Sequence, residues 1–252
     1  MFFSKRLLSA RKSGLTIVSG CDRLRLKSFV NHKFFADLND VNYVWSFMLR
    51  RDGLNPYLRK IDAVQSALGA DEWLFWLDDD AYFTDFSWRL LPYVSPYSKY
   101  DLVICKSPIN NGAWTYVSSG QFFLKSTRRS VAFLDAMRNT DLEQVKTWWS
   151  QEKYGMFTSG DQDVMVYVLA TDPRFREGEF FVRLDYSEFN SREFHYKESA
   201  DEHRLLHLAS AIKTKEQLLE GFRERFDLNE FLIPEALLGG IDLEAYKKLR
   251  IS

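Results

Sequence analysis

The stretch DEWLFWLDDDAYF (Asp71–Phe83) decides the fold. Five apolar residues, Trp73 to Leu77, run straight into Asp78, Asp79 and Asp80, and Ala81, Tyr82 and Phe83 follow at once. A short continuous apolar run of this kind reads as a strand buried on both faces. Three acids at its end cannot be solvated by such neighbours. In an extended strand end, residues i and i+2 point the same way, so Asp78 and Asp80 converge on one object while Asp79 faces away. Carboxylates at that spacing suit a hard divalent cation, Mn²⁺ or Mg²⁺. In α/β sheets, ligands sit beyond the carboxyl ends of strands, which is where this triplet falls. The plainer reading is a polar turn whose acids reach water.

Working outward, LTIVSGCDRL (Leu15–Leu24) is β-rich and breaks at Ser19-Gly20, an early strand meeting a loop. VNYVWSFMLRR (Val41–Arg51) fits strand or helix. Pro56 opens a helix that Gly69 ends, with Leu58, Ile61, Val64, Gln65 and Leu68 at helical spacing. DLVICKS (Asp101–Ser107) reads as a strand, and a further one begins within WTYVSSGQFFLKS (Trp114–Ser126). TRRSVAFLDAMRN predicts a helix with Val131, Leu134 and Met137 on one stripe, and SGDQDVMVYVLA a helix with an acidic first turn. RLLHLAS is a short strand or turn. From Thr214, TKEQLLEGF carries a capping-box pattern, and more helix is expected around Pro234 and Leu243. Strands alternating with helices give an α/β class: one domain over residues 1–213 and a helical C-terminal extension, 214–252, packed on it.

Composition narrows the classes. The chain has 252 residues, 46% of them hydrophobic, and a net charge of −1, so it holds a sizeable core and is no general nucleic-acid binder. Cys21 and Cys105 have no metal-like spacing and read as two reduced core thiols. No run approaches the roughly 18 apolar residues of a membrane span. The basic N-terminus, MFFSKRLLSARKSG, lacks the apolar region and cleavage site of a signal peptide. A cytoplasmic protein is the expectation, with this segment available to lie on an anionic membrane surface.

Two enzyme classes carry D-x-D at a strand end. The haloacid-dehalogenase-like phosphatases use D-x-D-x-T, but Tyr82 stands in the fifth place here, and Met165 stands where their later G-D-x-x-x-D needs its last acid. The second resemblance is broader. WLFWLDDDAYF resembles the hydrophobic-strand D-x-D of GT-A nucleotide-sugar glycosyltransferases, in their galactosyl-, xylosyl- and mannosyltransferase branch. PYLRKIDAVQSAL is similar to the helix before that motif, VSSGQFFLKST to its N-[ST]-G-x-x-x-x-[RK] stretch, and GDQDVM to its D-Q motif. EFNSREF is similar to its N-S segment and HLASAIK to its H-x-x-G-x-x-K element. Together these cover about residues 15–215 in the family's order. The departures are Ser118 for Asn, Ser210 for Gly, and no Pro-Trp after Lys213.

The resemblance implies a GT-A fold, a Rossmann-like mixed sheet flanked by helices, and transfer of a sugar from a nucleotide-diphosphate donor. A UDP-sugar is favoured as donor, and a glycan or glycoconjugate hydroxyl is the acceptor. It implies direct metal ligation by Asp80, contact of Asp78 with the metal through water or with the nucleotide ribose, and His207 as a further ligand, a set suited to Mn²⁺ or Mg²⁺. Lys213 with the metal would neutralise the departing diphosphate. Asp161 and Gln162 would lie beside the donor sugar as the catalytic pair, which favours retention of configuration. Ser19, Lys60, Asp78, Asp79, Ser119 and Gly120 complete the donor-binding set. Trp114, Tyr116, Trp148 and Trp149 are candidate sugar-stacking walls, or simply core. A binding or scaffold protein on a degenerate transferase fold is the rival reading.

Overall fold

The computed structural model describes residues 14–48, 58–241 and 243–247. Eight strands are β1 (Leu15–Cys21), β2 (Asn42–Phe47), β3 (Trp73–Asp78), β4 (Ala81–Phe83), β5 (Leu102–Cys105), β6 (Gln121–Lys125), β7 (Phe181–Leu184) and β8 (Leu205–His207). The helices are α1 (Ser28–Leu38), α2 (Leu58–Ala67), α3 (Leu90–Val94), α4 (Arg128–Arg138), α5 (Leu142–Trp148), α6 (Gln151–Tyr154), α7 (Asp161–Thr171), α8 (Ile212–Arg225) and α9 (Glu244–Lys247). Pro56 and the basic N-terminal segment through Ser13 lie outside the described residues.

Six strands form one mixed sheet in the order β2-β1-β3-β6-β5-β7, and β4 pairs with β8 in a separate ribbon. β1, β2 and β3 are mutually parallel, whereas β6 runs antiparallel to both β3 and β5. The GT-A fold expected from the sequence is borne out. Sheet alternation explains the apolar run of β3. Leu74 and Trp76 point into a core under α2, α4 and α7, while Trp73, Phe75 and Leu77 point into a second core under α1. Each face is covered, so the strand is apolar throughout.

Some local readings are corrected. VNYVWSFMLRR, open between strand and helix in the sequence, is strand over Asn42–Phe47, and its last three residues lie outside the described ones. On α4 the buried stripe is Ser130, Phe133, Leu134 and Met137, with Val131 40% exposed, because the core lies about one residue further round the helix. α8 starts at Ile212, capped by Ala211, so Thr214 is no N-cap and the expected boundary at 213/214 falls inside a helix. Phe222 of α8 packs with Tyr82, Tyr196 and Leu206, closing a third apolar cluster over the β4–β8 ribbon. No helix among the described residues is long and apolar enough to cross a membrane.

Candidate active site

β3 delivers Asp78 at its last position, next to Gly20 of β1 in register, and the Asp78 N–H donates to the Gly120 carbonyl at 2.7 Å. The chain turns through Asp79 and Asp80 and re-enters extended structure at β4. There the Ala81↔His207 pairing of the β4–β8 ladder sets the imidazole beside Asp80. Two bonds fix that register: the Leu208 N–H donates to the Asp80 carbonyl at 2.9 Å, and the His207 N–H to the Ser191 carbonyl at 2.8 Å. Asp78, Asp80 and His207 thus offer ligand atoms that all lie within 4.8 Å of one another.

The two carboxylates are held differently. Asp78 accepts from Trp76 Nε1 at 2.7 Å and pairs with Lys60 Nζ at 2.9 Å. The same ammonium reaches Asp161 at 2.8 Å and the Ser119 carbonyl at 3.1 Å, joining α2, β3, α7 and the turn before β6. Burial alone would depress Lys60, but Asp161 and Asp78 outweigh it and hold the ammonium protonated. Asp78 moves up to about 6: burial and the Asp80 and Asp161 charges raise it against the pull of Lys60. Asp80 goes the other way. Burial opposes its ionisation, yet His207, once protonated in acid, and Lys215 Nζ at 2.6 Å hold it below the usual carboxylate range. Asp79 is pushed up to about 7 by burial and by Asp80 and Asp78. Burial, then the Asp79 and Asp22 charges, push the Cys21 thiol at the end of β1 up to about 12.

The arrangement fits a divalent cation. Asp80 Oδ1 is buried and makes no hydrogen bond among the described residues, with His207 Nε2 3.4 Å away. Burial, before the nearby charges of Arg192 and Lys215, pushes His207 below its ordinary value, so the ring is neutral near pH 7. Lys215 answers one oxygen of Asp80; the other is buried against a neutral ring nitrogen without a hydrogen bond, and a metal ion there would satisfy it. Gly120 leaves room for the ring. A Cβ there would stand 2.6 Å from His207 Cε1 and 2.9 Å from Nε2, inside contact distance.

Around this centre, Gln162 Oε1 accepts from the Ser119 N–H at 3.3 Å, so its amide NH₂ is the end it can offer a ligand. Asp161 opens α7, where the helix N-terminus favours its charge. Asp163, two residues on, is structural: it accepts from the Thr158 and Gly160 N–H groups and caps the helix. Lys60, Asp78, Ser119, Gly120, Asp161 and Gln162 are therefore brought together with Asp80 and His207. Ser19 is not: it is buried, its hydroxyl bonded to Tyr43 at 2.7 Å.

Lys213 is exposed, and the lysine at the site is Lys215, which sequence reasoning missed. Helical side chains tilt toward the N-terminus, so a lysine inside the first turn of α8 leans back over the end of β8, whereas Lys213 points out. Asn190, which bonds His207 Nδ1 at 2.9 Å, was legible only as part of the N-S segment.

Of the four candidate sugar walls, Trp148 and Trp149 pack on Tyr154 in the core. Trp114 and Tyr116 instead line an open cleft of about 280 Å³ with Ile109, Arg183 and Tyr186. Its two flanking cations are already paired, Lys106 with Asp185 and Arg183 with Glu177.

Two acids and a histidine thus gather beyond the carboxyl end of β3, in a mixed sheet flanked by helices. The chain belongs to the nucleotide-diphospho-sugar transferase family, whose family model matches residues 21–218. Galactomannan galactosyltransferase 1 of Cyamopsis tetragonoloba is 26% identical over 182 residues, covering 64% of this chain and 41% of that protein. Probable xyloglucan 6-xylosyltransferase 5 of Arabidopsis thaliana is 24% identical over 179 residues, 66% of this chain and 38% of that protein. The matched region thus spans about two-fifths of the length of these curated relatives. Among solved structures, a glycosyltransferase involved in the glycosylation of the major capsid of PBCV-1 superposes with a TM-score of 0.61 at 14% identity. It covers 81% of this chain and 98% of that one, a likeness of fold.

Proposed function

We propose that this chain transfers a sugar from a nucleoside-diphosphate donor, UDP-linked in the favoured case, to a hydroxyl of a glycan or glycoconjugate. The observation that carries this reading is the convergence of Asp78, Asp80 and His207 around an unpartnered carboxylate oxygen, in a chain of the nucleotide-diphospho-sugar transferase family. Those three residues would hold Mn²⁺ or Mg²⁺. When bound, the ion supplies positive charge to the diphosphate.

The chain's own groups do the rest. Transfer breaks the bond from the anomeric carbon to phosphate oxygen and forms one to the acceptor oxygen, and the hydroxyl proton passes to the departing diphosphate oxygen. Negative charge develops on the departing diphosphate, where Lys215 can move from Asp80 to meet it. Positive charge develops on the sugar ring, as in glycoside cleavage. Asp161, paired with Lys60, and the Gln162 amide are the groups near enough to orient the ring and stabilise that charge. An Asp161 oxygen already engaged by Lys60 is not free to face an acceptor hydroxyl, which supports retention over an inverting general base. The acceptor would seat its pyranose rings against Trp114 and Tyr116. The paired state of Lys106 and Arg183 favours a neutral glycan there.

The test is to incubate the protein with Mn²⁺ and a panel of nucleotide sugars, measuring donor hydrolysis and thermal stabilisation. Metal-dependent stabilisation by one nucleoside diphosphate, lost in Asp80→Ala, is expected. No binding to any member sinks the reading in favour of a scaffold, and phosphomonoester turnover without nucleotide dependence would favour a phosphatase.

A further inference from the structure

His207 meets Asp80 through one ring nitrogen and Asn190 through the other, and Asn190 decides which of them carries the proton. Asn190 is fully buried in the segment before β8. Its amide orientation is fixed at one end, because Nδ2 donates to the Lys106 carbonyl at 3.0 Å, and a carbonyl can only accept. Oδ1 therefore faces the other way. There it receives Arg192 Nη1 at 2.7 Å and Gln121 Nε2, and it lies 2.9 Å from His207 Nδ1. A guanidinium has no acceptor atom, so Oδ1 is confirmed as oxygen by a second, independent donor. An oxygen that only accepts requires the hydrogen to be on Nδ1. A neutral imidazole has one N–H, so Nε2 is left with its lone pair, 3.4 Å from Asp80 Oδ1.

We propose that Asn190, locked by the Lys106 carbonyl and Arg192, is a positioning residue that holds His207 as the Nδ1–H tautomer and so presents Nε2 as a ligand. The inference rests on the metal-site reading above only for what Nε2 then binds. The lock explains two buried polar groups that the transfer chemistry leaves unused. Arg192 is 6% exposed; its Nη1 is spent on Asn190 Oδ1 at 2.7 Å, with longer approaches to the Asn190 and His207 carbonyls at 3.4 Å. Gln121 is fully buried on the first residue of β6 and donates to the same oxygen. Both turn the oxygen of the amide, rather than its NH₂, toward His207, an orientation that a single hydrogen bond to the ring would not enforce. Without that acceptor the ring is free to place its proton on Nε2 and donate to Asp80 Oδ1, which would use up both metal-facing atoms together.

The test has two readouts. The first is the ring ¹⁵N chemical shift of His207 in the metal-free protein near pH 7.5, assigned by loss of its signals in His207→Gln. The native chain is expected to show the Nδ1–H pattern, and an Nε2–H pattern overturns the proposal outright, with no variant needed. The second is Mn²⁺ affinity without nucleotide, followed by the electron paramagnetic resonance of free Mn²⁺. Asn190→Leu, which keeps the volume and removes the acceptor, is expected to shift His207 toward Nε2–H and weaken Mn²⁺ about 10–100-fold. Asn190→Asp keeps the accepting oxygen beside Arg192 and is expected to restore both the tautomer and the affinity. Native tautomer and affinity in a folded Asn190→Leu overturn the proposal. A native Nδ1–H signal in a chain that binds no Mn²⁺ supports the tautomer lock and removes the metal reading instead.

Discussion

Asp78 and Asp80 stand two residues apart and have opposite surroundings. Asp78 is tied by Trp76 and Lys60 into the sheet and α2, and its pKa rises to about 6. Asp80 sits in the turn with one oxygen on Lys215 and the other without a hydrogen bond, and its pKa falls. The difference shows a division of labour in one short motif. Asp78 is anchored by the scaffold through Trp76 and Lys60, whereas Asp80 is held ionised beside Lys215 with one oxygen left without a hydrogen bond.

The sharpest way to break the comparison is to remove the open member. Asp80→Ala is expected to abolish divalent-ion binding and cut sugar transfer by roughly 10³-fold or more, measured as kcat/KM with Mn²⁺ present. An effect equal to that of a surface substitution would show that the open oxygen has no such role. Removing the anchor instead should act on folding. Lys60→Met leaves the part-buried Asp78 and Asp161 without their cation and is expected to cost roughly 1–3 kcal/mol in denaturant unfolding.

A pH series separates the site from its support. His32 of α1, whose Nε2 lies 2.7 Å from the Ala81 carbonyl just behind Asp80, is driven down to about 4 by burial. Its folded pKa lies below its unfolded value of 6.5, so the unfolded chain takes the proton first. Stability should therefore be full above about pH 6.5 and decline as pH falls toward 4, by on the order of 3 kcal/mol from this group. Unfolding free energies of the native chain and His32→Gln across that window check it, the slope being shallower in the variant. The smallest effect is expected at Lys215. Lys215→Met removes a cation that competes for Asp80, and metal affinity without nucleotide should rise about 3–10-fold while nucleoside-diphosphate binding weakens.

What was legible in the sequence follows from how far each signal reaches along the chain. β3 could be read because its burial on both faces makes it apolar at every position, and the acids at its end needed only strand geometry. β4, three residues long, carries too little pattern to be seen, so its pairing with β8, itself readable only as a short strand or turn, could not be derived from periodicity. The place of His207 beside Asp80 came from resemblance. Lys213 and Lys215 differ by where α8 begins, a boundary set by Ala211 and the end of β8, which local propensity does not specify. Lys60 was visible as a basic residue on an apolar-striped helix. Its reach to Asp78 and Asp161 is a long-range fact of packing.

The β4–β8 ribbon is only three residue pairs long, and it is hydrogen-bonded as a unit apart from the main sheet. Short ladders of this kind open locally at low free energy, well below global unfolding. An ion shared by Asp78 at the end of β3 and His207 at the end of β8 would bridge main sheet and ribbon, acting as a staple. The amide hydrogens of His207 and Leu208, which bond Ser191 and Asp80, would then be the place to watch. Their exchange with solvent is expected to slow on adding Mn²⁺, in proportion to its free concentration over its dissociation constant, while amides deep in β3 stay unchanged.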